Sequence, residues 1–215
     1  MNDDFTLAIQ KNFDQIAAKY TRHIFDELRH KPLDRELLDR FAAEIRGRGE
    51  VCDMGCGPGH VARYLRDAGL SVFGLDLSSG MLEQARKLNP DIPFRQGNML
   101  CLDIPDGSLA GIAAFYATVN LPTECLPLVF REMERVLRPG GLFLLAFHAG
   151  DEIVHVDELW DQQVSMDFLF FQPPKIKLCL EAEGFVVEEI IEREPYPEVE
   201  YQSHRAYIFA RKPAA

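Results

Sequence analysis

The chain has 215 residues, 47% hydrophobic and 27% charged, with a formal net charge of −11. That size and balance suit one globular domain with its own core. The negative charge weighs against nucleic acid as the main partner. Cys52, Cys56, Cys101, Cys125 and Cys179 are odd in number and form no Cys-x-x-Cys pair, which weighs against a disulfide framework or a zinc ribbon.

The opening Met-Asn-Asp-Asp-Phe is acidic and lacks an apolar signal core. No stretch reaches the length of a membrane span, so the expectation is a cytoplasmic protein with no membrane partner. Phe13, Ile16, Ala17, Tyr20, Ile24 and Leu28 recur at helical spacing and predict an amphipathic helix over residues from about 5 to 30. Pro32 stops it. Asp34 is placed to cap a second helix with Leu37, Leu38, Phe41 and Ile45 inward. Residues 1–48 are therefore read as N-terminal helices, and Tyr20 stands out because a buried hydroxyl needs a polar partner.

Val51–Leu65 opens with a short buried strand, bends through Gly55, Gly57 and Gly59, and closes with a helix bearing Val61, Ala62 and Leu65. Glycine accepts positive φ and lets a ligand approach the backbone, while the following helix aims free N–H groups at the same place. Ser71–Asp76 reads as the second strand, with Asp76 at its end about twenty residues past the loop, where an acid can hold ribose hydroxyls. Met81, Leu82, Ala85 and Leu88 mark the next helix, and Ile92–Gly97 a short third strand. Leu109–Tyr116 is an apolar run suited to a central parallel strand. A helix from Pro122 to Leu137 and a strand from Leu142 to His148 follow. Residues 149–172 show no clean period and form an expected irregular insertion, long enough to suggest a functional role. A helix around Ile176–Leu180 and strands at Phe185–Ile191 and Tyr201–Ala210 close the chain.

Asp53-x-Gly55-x-Gly57-x-Gly59, Asp76-Leu-Ser-Ser-Gly-Met81, Gly97-Asn98-Met99, the Pro105-Asp-Gly-Ser turn and Leu137-Arg-Pro-Gly-Gly-Leu142 stand in this order. Together they resemble the class I S-adenosylmethionine-dependent methyltransferases of small-molecule type. The resemblance implies a Rossmann-like, doubly wound α/β fold with a seven-stranded, mostly parallel sheet, an antiparallel terminal hairpin and helices on both faces. It implies S-adenosylmethionine as cofactor, with the helix bearing Tyr20 covering it. Gly55 and Gly57 would line its methionine portion, with Asp53 near the ammonium group. Asp76 would take the ribose, and Leu77, Met81 and Met99 would sandwich the adenine. Asn98 would accept from the adenine amine where the family more often has Asp. Ala114 and Tyr116 would flank the sulfonium.

The expected chemistry is methyl transfer to a small-molecule acceptor by in-line displacement. His148 is the candidate general base. Tyr116, Asn120, His148, His155 and Trp160 are the candidate acceptor wall, in a segment whose aromatics would also suit contact between two copies. No metal is expected, because the spacing of His148, Glu152 and His155 matches no standard site. Two rivals remain at this point. One is a nicotinamide-dependent oxidoreductase, against which the early third glycine counts. The other is a protein that binds S-adenosylmethionine without transferring its methyl group.

Overall fold

The structure, a computed structural model, describes residues 3–214. Met1 and Asn2, where the reading of an unleadered start begins, lie outside the described residues, as does Ala215. The elements in chain order are α1 (Asp3–Ile24), α2 (Pro32–Ile45), β1 (Glu50–Met54), α3 (His60–Asp67), β2 (Ser71–Asp76), α4 (Ser79–Leu88) and β3 (Phe94–Gln96). There follow β4 (Leu109–Phe115), α5 (Leu126–Val136), β5 (Leu137–His148), β6 (Ile153–Leu159), β7 (Gln162–Leu169), α6 (Pro173–Ala182), β8 (Val186–Arg193) and β9 (Arg205–Arg211).

Seven strands form one sheet in the order β3-β2-β1-β4-β5-β9-β8, with β9 antiparallel to both neighbours. This is the doubly wound sheet the sequence implies. β4 is buried along all but its last residue, as the apolar run demands. One core packs α5 and α6 on one face through Phe130, Met133, Ile176 and Leu180. The other packs α2, α3 and α4 through Phe41, Leu65 and Leu82. The strand order turns back between β1 and β4, and a ligand crevice opens at such a switch point.

Four segments depart from the sequence reading. α1 ends at Ile24, and a separate 3-10 turn covers Glu27–His30. Asp34 is not a cap. Lys31 holds that position without a side-chain bond, while the buried Asp34 carboxylate accepts from Arg193 Nη2 and Tyr207 Oη, each at 2.9 Å. Residues 149–172 are not irregular, because β6 and β7 pair as an antiparallel hairpin. Its inward face carries Val164, Met166 and Phe168 at two-residue spacing, an alternation the sequence reading passes over, and packs against Ile16, Ala17 and Met81. Finally, β9 begins only at Arg205, since Glu200 and Ser203 are turned inward to polar partners.

Those partners form a buried ionic cluster. Glu200 meets Lys31 at 3.1 Å and Arg205 at 3.4 Å and also pairs with Arg193. Burial works against the Glu200 charge, but the bonds from Arg193 and the Tyr196 N–H, with Lys31 and Arg205 nearby, hold its carboxyl down at about 2. Arg193→Met would leave Asp34 and Glu200 buried with too few partners. Removing one member of such a set costs about 3–5 kcal/mol. Urea unfolding should show a loss of that size, and a loss below about 1 kcal/mol would mean the cluster contributes little.

Candidate functional site

The cleft is built from strand ends. At its floor, the Gly55 and Cys56 N–H groups both donate to Leu75 O, at 2.8 and 3.1 Å. The Gly57 N–H donates to Asp76 Oδ2 and the Ser78 N–H to Asp76 Oδ1, each at 2.8 Å. Two backbone donors thus fix the carboxylate and leave it lone pairs for a ligand. Burial pushes the Asp76 carboxyl up, and these N–H groups and that of Leu77 pull it back.

Two glycines explain the turn. Gly55 has φ +68°, and a Cβ there would lie 2.5 Å from the Ala117 Cβ, so the turn is pressed against the end of β4. Gly57 has φ +50°, and its Cβ would meet only Tyr20 Cε1, at 3.8 Å. The backbone at Gly57 therefore faces the open cleft.

Asp76, Leu77, Met81, Asn98, Met99 and Tyr116 come together around this floor with Gly55, Gly57 and Tyr20. Asn98 Oδ1 already accepts from the Leu100 N–H at 2.9 Å, leaving one lone pair toward the cleft. α1 is the roof, contributing Thr6, Ile9, Gln10, Phe13 and Tyr20. Sequence reasoning missed the first four of these. They continue the Tyr20 face backward at three- and four-residue steps, which was the available signal. It also missed Asp14, whose carboxylate accepts from Ser78 Oγ at 2.6 Å and from the Gly80 N–H at 2.8 Å. Asp14 ties the roof to the start of α4.

Other expected residues lie elsewhere. Asp53 is 1% exposed and accepts from the Ala62 N–H at 2.8 Å, so it caps the first turn of α3 behind the glycine loop. Burial pushes its carboxyl up to about 7. Ala114 is wholly buried in the core. His148 is buried beneath the end of β5, where Arg205 Nη1 donates to its Nδ1 at 2.7 Å and Ser203 Oγ lies at the same distance. Burial first, then Arg205 and Lys31, lower the His148 pKa to about 3. Its ring lies 5.1 Å from that of Tyr116, which also carries Arg205 at 5.0 Å and Lys31 at 5.6 Å. The Tyr116 hydroxyl is buried with no hydrogen-bond partner among the described residues. His155 stands on the exposed face of the hairpin, paired with Asp167 at 2.7 Å and Asp157 at 3.2 Å. Trp160 sits at the hairpin tip, stacked on His23.

A second groove, of about 410 Å³, adjoins the cleft and shares Ile9 and Asn120 with it. Phe5, Ala8, Pro122, Ile153, Met166 and Leu169 give it apolar walls. Asn120 Nδ2 donates to Asp167 O at 2.8 Å, joining the loop after β4 to the hairpin. Among the described residues no three His, Cys, Asp or Glu side chains converge as metal ligands, and no helix is long and apolar enough to cross a membrane.

Sheet order, glycine turn and strand-end acid define a Rossmann-like methyltransferase fold, and comparison with known proteins agrees. Residues 51–141 match the family model described as a methyltransferase domain. A malonyl-[acyl-carrier protein] O-methyltransferase of Enterobacter lignolyticus is 32% identical over 150 residues, covering 67% of this chain and 58% of that one. A demethylmenaquinone methyltransferase of Renibacterium salmoninarum is 33% identical over 138 residues, covering 62% of this chain and 56% of the other. The chain thus spans under two thirds of these relatives' lengths. Among solved structures, that of a DhpI–SAH complex superposes with TM-score 0.76 at 19% identity, covering 100% of both chains. A SAM-dependent methyltransferase of Methanosarcina mazei has TM-score 0.70 at 18% identity, covering 77% of this chain and 93% of that one. The chain belongs to the class I S-adenosylmethionine-dependent methyltransferases.

The cleft fits the cofactor of that family in its donor set. It offers a carboxylate at the end of β2, a side-chain-free floor at Gly57 and apolar side chains from Leu77, Met81 and Met99. Its free volume is only about 90 Å³, against roughly 300–1,000 Å³ for pockets that enclose ligands of that size. The side chains lining the cleft, those of α1 among them, stand close together over its floor.

Two predictions follow from this geometry. Asp76→Ala should weaken S-adenosylhomocysteine binding by about 2–4 kcal/mol in calorimetry, the loss of charge-assisted bonds. Unchanged affinity with normal circular dichroism would remove Asp76 from the site. His148 stays neutral in the fold down to about 3, but the unfolded chain protonates it near 6.5. It therefore favours folding above pH 6.5, and that contribution drains away as pH falls toward 3. Relative to His148→Gln, the parent should lose about 1.5 kcal/mol of stability between pH 6.5 and 5. Parallel pH profiles for the two proteins would contradict this.

Proposed function

We propose that this protein transfers the methyl group of S-adenosylmethionine to a small apolar acceptor lying in the groove between α1, the loop after β4 and the β6–β7 hairpin. One observation carries the reading: the apolar groove adjoins the cofactor cleft and shares Ile9 and Asn120 with it. The cofactor, when bound, supplies an activated methyl group to a nucleophile in line with it. Asp76 holds the ribose, the Gly55–Gly57 backbone receives the methionine portion, and Leu77, Met81 and Met99 pack the adenine. Asn98 offers its remaining lone pair to the adenine amine. The roof and groove walls exclude water and hold the acceptor in line.

His148 is a positioning residue in this reading, not the base. Its Nδ1 lone pair is taken by Arg205, and a group that protonates near 3 is a weak proton acceptor at neutral pH. It braces Tyr116 from below, as the tilted contact between the two rings suggests. With the His148 lone pair taken, the site favours an acceptor whose nucleophile arrives already deprotonated or carries a free lone pair, and Glu124 and Asp167 are the carboxylates on the groove wall. The relatives named for malonyl-[acyl-carrier protein] and demethylmenaquinone support a carrier-linked or quinone-type acceptor. Of the two, the apolar groove walls favour the second kind.

Ala8→Trp tests the groove. Ala8 is an exposed α1 residue on the groove wall, so a large side chain there fills the groove without disturbing the core. With labelled S-adenosylmethionine and an acceptor found by panel screening, kcat/KM for the acceptor should fall at least about tenfold. S-Adenosylhomocysteine affinity should stay within about threefold, since the cleft is untouched. Undiminished transfer would place the acceptor elsewhere.

A further inference from the structure

The hairpin is fastened to the roof along its length. Asn12 Nδ2 donates to Ser165 O at 2.9 Å, and the Ser165 N–H returns a bond to Asn12 Oδ1 at 3.2 Å. Gln15 Nε2 donates to Gln163 O and Lys19 Nζ to Trp160 O, each at 2.7 Å. Asn12, Gln15 and Lys19 recur at helical spacing, so one face of α1 caps successive carbonyls of β7 and its turn. The fastening ends at Trp160, the only tryptophan in the chain. Its ring stacks on His23 at 4.5 Å and 7° and meets Tyr20 edge-on at 5.6 Å.

The turn itself is strained in an informative way. Leu159 pairs with Gln162, leaving a two-residue loop in which Trp160 has φ +49° and Asp161 φ +57°. Positive φ at both positions is the pattern that favours Asn-Gly, and a bulky aromatic is a poor occupant of it. Such an outlier persists where its surroundings hold it, and here the surroundings are His23 and Tyr20. Tyr20 is in turn the roof residue nearest Gly57, and Asp76 is among the charges that act on its hydroxyl.

We infer that Trp160 is a positioning residue for the cofactor. It holds Tyr20 and the second half of α1 down over the cleft and so sets how fast the cofactor enters and leaves. The bonds from Asn12, Gln15 and Lys19 serve the same closure. This rests on the cleft being the cofactor site and on nothing about the acceptor. It assigns Trp160 to cofactor retention, whereas the sequence had suggested the acceptor wall.

The test is release of tritiated S-adenosylhomocysteine chased with excess unlabelled ligand. Trp160→Asn keeps a residue that accepts positive φ and removes both aromatic contacts. Two such contacts are together worth a rate change on the order of tenfold, so release should quicken by about that factor. The melting temperature should hold or rise, because turn strain is relieved. Trp160→Tyr should restore release to within about threefold of the parent, since it keeps an aromatic edge for Tyr20 and a face for His23. His23→Ala, which leaves the turn intact, should quicken release by a smaller factor and decides the matter if Trp160→Asn folds poorly. In the parent, ligand addition should shift the emission of the lone tryptophan. Release within twofold of the parent in both Trp160→Asn and His23→Ala would overturn the proposal. So would faster release accompanied by a lower melting temperature and no rescue by tyrosine. A parent protein that retains no S-adenosylhomocysteine would overturn the cleft assignment itself, and this proposal with it.

Discussion

Everything at the ligand end of the sheet depends on one carboxylate held by main chain. Asp76 ends β2, and its two oxygens take the Gly57 and Ser78 N–H groups. One of those donors belongs to the glycine turn after β1 and the other to the start of α4. A single side chain therefore sets the turn against the helix entry. Gly55, backed against Ala117, adds the end of β4 to the same assembly. Any acid displaced from the end of β2 would free the turn, and with it the floor of the cleft. The cost is burial of a charge, offset by donors aimed at it.

The roof obeys a different logic. α1 lies at the margin of the sheet core and touches it through the partly buried Phe5 and Ile9. It is tied to the start of α4 by Asp14 and to the hairpin by polar side chains along one face. Ile16 and Ala17 supply a small apolar seam with Met81, Val164 and Met166. An element held by a thin seam and a row of exposed hydrogen bonds opens at lower free energy than a core strand. That is the property a cover over a cleft of about 90 Å³ needs.

The parts legible in the sequence are those governed by local rules. Alternate glycines, a strand-end acid and apolar runs of the right length marked β1, β2, β4 and the turn from Gly55 to Gly59, while the family resemblance supplied the mostly parallel seven-stranded sheet. What escaped were features set by long-range polar contacts. Asp34 has the look of a helix cap, yet its carboxylate serves Arg193 and Tyr207, over 150 residues away. His148 stands at a strand end, as a base might, but Arg205 from an adjacent strand occupies its lone pair. The hairpin at 153–169 does show period two, in Val154 and Val156 and in Val164, Met166 and Phe168, but its strands are short, and the polar residues between them read as irregular chain. Trp160 occupies a turn whose preferred residues are small and polar, so turn chemistry gave no warning there.

The buried ionic cluster has a consequence for the order of events during synthesis. Lys31 and Asp34 lie just after the roof helix, whereas their partners Glu200, Arg193 and Tyr207 come from the last strands. β9 inserts between β5 and β8, so those partners arrive only when the final stretch has left the ribosome. Until then Lys31 has Glu27, four residues before it, while Asp34 stays in water. Loop closure over such sequence distances is slow, and domains assemble from the N-terminal side during translation. A chain without β8 and β9 can therefore form its glycine turn early but leaves the cluster unmade. Closure of that cluster therefore reports that β8 and β9 have joined the sheet.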